Sequence, residues 1–116
     1  MAAAGLSAGV LALIQRVVEP LDASAARSLV RQAESARVIR LLPTMVDVEV
    51  PPCAERVNLP DGPAPVEAFV LIGDVIVGEV LLWLRGGRLI GLEQAWYTDE
   101  TPRVWPAPTH LHVSPK

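Results

Sequence analysis

Val75–Tyr97 reads VIVGEVLLWLRGGRLIGLEQAWY, and this stretch decides the fold. Two apolar runs of strand length flank Gly86-Gly87, a pair suited to a two-residue hairpin turn. The polar run Thr98-Asp99-Glu100-Thr101-Pro102 stops the second strand abruptly. Upstream, Val66–Ile72 is a third β-prone run, and Gly73-Asp74 fits a turn of type II′. The three runs form an antiparallel meander, 66–72, 75–84 and 88–97.

In that register Ile72 faces Val75, Val70 faces Val77 and Glu67 faces Val80. At the next turn Leu84 faces Leu89, Val80 faces Glu93 and Glu79 faces Gln94. One face then carries Val70, Ile72, Val75, Val77, Leu81, Trp83, Ile90, Leu92 and Trp96. The other carries Phe69, Leu71, Ile76, Val80, Leu82, Leu84, Leu89, Ala95 and Tyr97. Both faces are apolar, whereas a sheet with one wet side alternates apolar and polar residues. A cover is needed on each side.

The N-terminal third supplies one. Leu6, Val10, Leu13, Ile14 and Val17 recur at helical spacing, so residues 6–19 read as a helix capped by Ser7 and ended by Pro20. Asp22 or Ser24 caps a second helix over 24–36, with Ala26, Leu29, Val30 and Ala33 inward and Arg31 within reach of Glu34. So short a link makes the two an antiparallel hairpin. Residues 37–42 are a strand or the tail of that helix. Residues 45–50 alternate Val46, Val48 and Val50 with Asp47 and Glu49, as a half-buried strand does. The loop 51–65 holds five prolines. Residues 102–116 read as an irregular tail. The expected architecture is α+β, one domain over 1–116, with a helical hairpin on a four- to five-stranded antiparallel sheet. The second face is left to the tail with Trp105 or to a second copy of the chain, a homodimer through one sheet face.

The chain has 116 residues, 51% hydrophobic and 20% charged, with net charge −3. That is a globular composition with no basic excess for nucleic acid or an anionic membrane. Arginine outnumbers lysine nine to one, and the arginines are scattered. One cysteine, Cys53, excludes an internal disulfide and a thiolate zinc site and suits a cytoplasmic setting. The start, Met1-Ala2-Ala3-Ala4-Gly5-Leu6, lacks the positive region of a secretory leader. Acidic residues interrupt the apolar region 66–84, so no membrane span is expected.

The chemistry-bearing residues are few. Glu67 and Glu93 share a face about 9–10 Å apart, a spacing two carboxylates use in water-mediated hydrolysis. The plainer reading places them at the wet end of the sheet. Trp96, Tyr97, Asp99 and Glu100 gather aromatic and acidic groups at a strand exit, as ligand pockets and interface hot spots do. The structural alternative has Trp96 in the core and Thr98 or Asp99 bonding local backbone. His110 and His112 form an H-x-H pair without a third ligand at metal spacing. No catalytic residue, metal or cofactor is assigned.

Val66-Glu67-Ala68, Gly78-Glu79-Val80-Leu81-Leu82-Trp83 and the run from Gly87-Arg88 to Trp96-Tyr97-Thr98-Asp99-Glu100-Thr101-Pro102 resemble a family of small actinobacterial proteins without an assigned activity. In that family a helical part precedes a hairpin ending in Trp-Tyr-Thr-Asp-Glu-x-Pro. The resemblance covers 66–102 well and 22–50 loosely. Leu42-Pro43-Thr44 stands where members often carry a cysteine. It implies a fold and a source, and no reaction. The expected function is a non-enzymatic protein-interaction or accessory module, immunity-like, with an unknown protein partner. The alternative is a small ligand-binding or hydrolase-like enzyme using Glu67 and Glu93 near the Trp96–Glu100 exit.

Overall fold

A computed structural model describes residues 4–116. The opening Met1-Ala2-Ala3, read above for a leader, lies outside the described residues. Two helices, α1 (Ala8–Val17) and α2 (Ala23–Ser35), precede the strands β1 (Arg37–Leu42), β2 (Met45–Glu49), β3 (Gly62–Pro63), β4 (Val66–Ile72), β5 (Val75–Arg85), β6 (Arg88–Trp96) and β7 (Leu111–Pro115). The strands form one antiparallel sheet ordered β1-β2-β6-β5-β4-β7, with β3 beside β5. The fold is α+β as expected, with seven strands rather than four or five.

Local chemistry sets the helix ends. Ser7 Oγ accepts from the Val10 N–H at 3.2 Å, and Asp22 Oδ1 accepts from the Ala25 N–H at 3.0 Å. Residues 37–42 are strand, so their β-branched content outweighs the option of a longer helix. The expected Arg31–Glu34 pair is not among the ion pairs of the described residues, which are Arg16–Glu19 at 2.7 Å and Arg37–Glu49 at 2.8 Å.

The core lies between the helices and one sheet face. Leu13, Ile14, Val17 and Leu29 pack against Val46, Leu82, Leu84, Leu89 and Leu92, all fully buried. Each such side chain contributes about 1.5–3 kcal/mol by leaving water. Both helices therefore cover the same face.

Two β-bulges correct the expected register. Ile72 faces Val75, but beyond Leu71–Ile76 the pairing moves by one, giving Val70–Gly78 and Phe69–Glu79. Leu84 faces Leu89, but beyond it Trp83 pairs Gly91, Leu81 pairs Glu93, Val80 pairs Gln94 and Glu79 pairs Ala95. A bulge adds one unpaired residue to one strand, here Val77 and Ile90. Val80, Leu82, Leu84, Leu89, Leu92 and Gln94 thus share the buried face with Val70, Ala68 and Val66. Leu81 and Trp83 lie on the opposite, outer face with Phe69 and Leu71.

The tail is not irregular to its end. Leu111–Pro115 pairs antiparallel with Val66–Val70 as an edge strand. Trp105 packs on the core side, with its buried indole N–H unpaired. The tail extends the sheet instead of covering its outer face, so among the described residues the chain supplies no second cover.

One buried side chain ties these parts together. Gln32, 1% exposed on α2, donates through Nε2 to Glu55 O at 2.7 Å and to Gly87 O at 3.0 Å. Its Oε1 accepts from the Leu89 N–H at 2.8 Å. The β5–β6 turn it grips needs glycine: Gly86 and Gly87 have φ of 58° and 74°, and a Cβ on Gly87 would stand 2.6 Å from Val57 O. Val57 N donates to the same Gly87 carbonyl at 2.9 Å, and Ala64 N donates to Leu82 O at 2.7 Å. The proline loop is thereby fastened across the end of the sheet.

Replacing Gln32 with Leu keeps much of the volume but leaves Glu55 O and the Leu89 N–H without this partner, while Gly87 O keeps the Val57 N–H. An unsatisfied buried group costs about 1–3 kcal/mol. Chemical denaturation of Gln32→Leu is expected to show a loss of about 3 kcal/mol. A loss below about 1 kcal/mol would show that water replaces the side chain there.

Candidate functional site

Two places hold the residues singled out from the sequence. The first is a cavity of about 870 Å³ where the buried sheet face runs out beyond the helices. Val70, Gly78, Gln94 and Trp96 form its floor, and the segment Thr98–Val104 with Pro106 forms its roof. Gln94 is 4% exposed. Its Nε2 donates to Pro43 O at 3.2 Å and to Val104 O at 3.1 Å, which fixes the roof to the floor. Thr98 Oγ1 donates to Glu100 O at 3.1 Å and shapes the strand exit locally.

Trp96, Asp99 and Glu100 all line this cavity, with Arg103 and His110. Tyr97 does not. Side chains alternate along a strand, so Tyr97 leaves on the outer face. There its backbone N–H donates to Val77 O at 2.9 Å and its phenol meets Glu79. Glu67 and Glu93 do not line the cavity either.

The second place is the outer sheet face. Glu93 sits opposite Leu81 and Met45, and its Oε1 accepts from the Trp83 indole N–H at 2.9 Å. With Asp47, Trp83 and Ile90 it lines a shallow cleft of about 190 Å³. Glu67 sits opposite Ser114, outside that cleft. The two carboxylates share the outer face, not the face of Val80 on which the expected register put them, and neither cavity brings them together. His110 lies in a 3-10 turn and lines the large cavity, whereas His112 is paired in β7 opposite Phe69. The H-x-H pair is therefore split. Among the described residues no group of three or more His, Cys, Asp or Glu is arranged to hold a metal ion. Nor is any described helix long and apolar enough to cross a membrane.

Gln94, Arg103 and Val104 escaped the sequence reading because their placement depends on a loop folding back over the sheet. The glutamates of the outer face were partly readable, since Glu67, Glu79 and Glu93 fall within the meander. The bulges decided which apolar residues join them.

Comparison with protein-family models, curated proteins and solved structures finds no match to this chain.

The outer face has a direct reporter. Tyr97 is the only tyrosine. Partial burial raises its pKa, and the Glu79 carboxylate raises it further by repelling the phenolate and accepting from the phenol. The phenol's ordinary value is 10.0. Below it the group is neutral in both folded and unfolded chains; above it the unfolded chain ionises first, so stability declines as pH rises through the raised pKa. Ultraviolet titration of the phenol is expected to give a midpoint above 10.0 in the folded protein. In Glu79→Gln the midpoint falls toward the ordinary value but stays above it, because burial remains. An unchanged midpoint in that variant would dissociate Tyr97 from Glu79.

Proposed function

We propose that the protein is a non-enzymatic interaction module whose outer sheet face docks a partner protein bearing arginine or lysine among apolar side chains. The observation that carries this reading is the make-up of that face. Phe69, Leu81 and Trp83 are only half-buried there, with Glu67, Glu79 and Glu93 set among them. Arg85 and Arg88 stand at the turn end of β5 and β6. Arg37, ion-paired with Glu49, and Arg40, opposite Asp47, lie at the β1 edge of the same face, and Arg16 lies on α1. Aromatic residues between carboxylates that take no part in the ion pairs suit a basic, apolar partner: charge selects and orients it, and ring burial supplies affinity. Trp83 is held by Glu93, so part of the ordering cost is met before binding.

The apolar strip continues to the sheet edge through Met45 and Leu42, and the edge strand exposes Ile39 and Leu41 at 60% and 67%. A second copy is the less favourable occupant of the face. A two-fold axis close to Glu79 or Glu93 sets that glutamate against its own copy, and like charges in apposition oppose association. The hydrolase-like alternative needs Glu67 and Glu93 to converge on one substrate. The engagement of Glu93 by Trp83, and the place of Glu67 beside Ser114, favour binding over catalysis.

The test uses two short peptides, one alternating arginine with leucine and one alternating glutamate with leucine, titrated by NMR. The Trp83 indole N–H is expected to move with the basic peptide, less at high salt, and not with the acidic one. Glu79→Lys with Glu93→Lys should weaken binding at least about tenfold. Equal response to both peptides, or a silent Trp83, would overturn the proposal. A concentration-dependent dimer that buries Trp83 would favour the second copy.

A further inference from the structure

The large cavity is a separate place from the outer face, and its lining has its own chemistry. We propose that it binds a small organic cation, a protonated amine carried on a flat apolar body. At about 870 Å³ it falls in the range of small-molecule sites, roughly 300–1,000 Å³. Its floor is flat by necessity. A Cβ on Gly78 would stand 2.3 Å from Ala95 O, so no side chain can rise between Val70 and Trp96. Its roof is tethered rather than loose, since Gln94 holds Val104 O from below.

The polar groups specify the sign of the ligand. Gln94 is nine-tenths buried and both its N–H bonds go to backbone carbonyls, so what it can offer a ligand is its carbonyl oxygen. Asp99 and Glu100 stand in the roof against the single guanidinium of Arg103, a net acidic lining. His110 closes the side near β7. Trp96, 40% exposed, presents an indole to the same space, and an aromatic face attracts a cation. An acceptor at the back, carboxylates at the front and an aromatic wall suit an ammonium group attached to an apolar ring.

The probes are 2-phenylethylammonium, 3-phenylpropionate and 3-phenylpropanol, each titrated into the full chain by NMR. The ammonium is expected to move the Trp96 indole N–H and the Gln94 side-chain amide, leaving Trp83 still. The alcohol should bind more weakly and the carboxylate not detectably. Asp99→Asn with Glu100→Gln replaces exposed residues and leaves the core intact; it is expected to weaken the ammonium about tenfold or more, with little effect on the alcohol. Binding of the carboxylate as tight as the ammonium overturns the proposal. So does ammonium binding that the double variant leaves unchanged, or the absence of any shift at Trp96. Because Trp96 and Trp83 report on different places, this result is independent of the outer-face reading.

Discussion

Gln32 is the point on which this fold turns. A helix lying on a sheet needs apolar contact, but apolar contact alone does not fix which turn the helix meets. By donating to Glu55 O and Gly87 O and accepting from Leu89 N, Gln32 registers α2 against the β5–β6 turn and the proline loop together. Its low exposure makes every one of these bonds obligatory, because a buried polar group without partners is costly. Asp61 Oδ1 accepting from Gly86 N and Ser28 Oγ donating to Glu55 Oε1 extend the same fastening. The helices and the long loop are thereby committed to one side and one end of the sheet.

That commitment shapes the rest of the surface. With both helices on one face, the opposite face has no cover from α1 or α2. Two bulges then determine its content, turning Val80, Leu82 and Leu92 inward and leaving Leu81, Trp83 and Glu93 outward. At the far end of the covered face the helices run out, and the folded-back segment Thr98–Pro106 roofs a cavity there. The two binding surfaces follow from one packing decision: an outer face without helices, and an inner face longer than the helices that cover it.

Much of this was legible in the residues. Helical spacing, Ser7 and Asp22 located the helices, and Gly73 and Gly86-Gly87 located the hairpin turns. The bulges were not, because Val77 and Ile90 are ordinary strand residues and an extra residue leaves no mark in composition. Strand β7 was hidden by Pro106, Pro108 and Pro115, which also allow a short edge strand. Gln32 had a visible signal, a polar residue beside Leu29 and Ala33 on the inward side of a helix, but its three partners are distant in sequence. At the candidate site, Trp96, Asp99 and Glu100 are neighbours in sequence and line one cavity. Strand alternation separates Tyr97 from them, and only the tertiary fold brings Gln94, Arg103 and His110 to join them.

Solvent exposure of the outer face is the most direct check on this view of the molecule. A neutral paramagnetic relaxation agent broadens side-chain resonances according to their access to solvent. In the free protein, the Trp83 indole and the Phe69 ring should broaden far more than Leu82 and Leu92, with tumbling set by a monomer. Protection of Trp83 and Phe69 to the level of Leu82 would contradict it, since something would then cover the face left bare here.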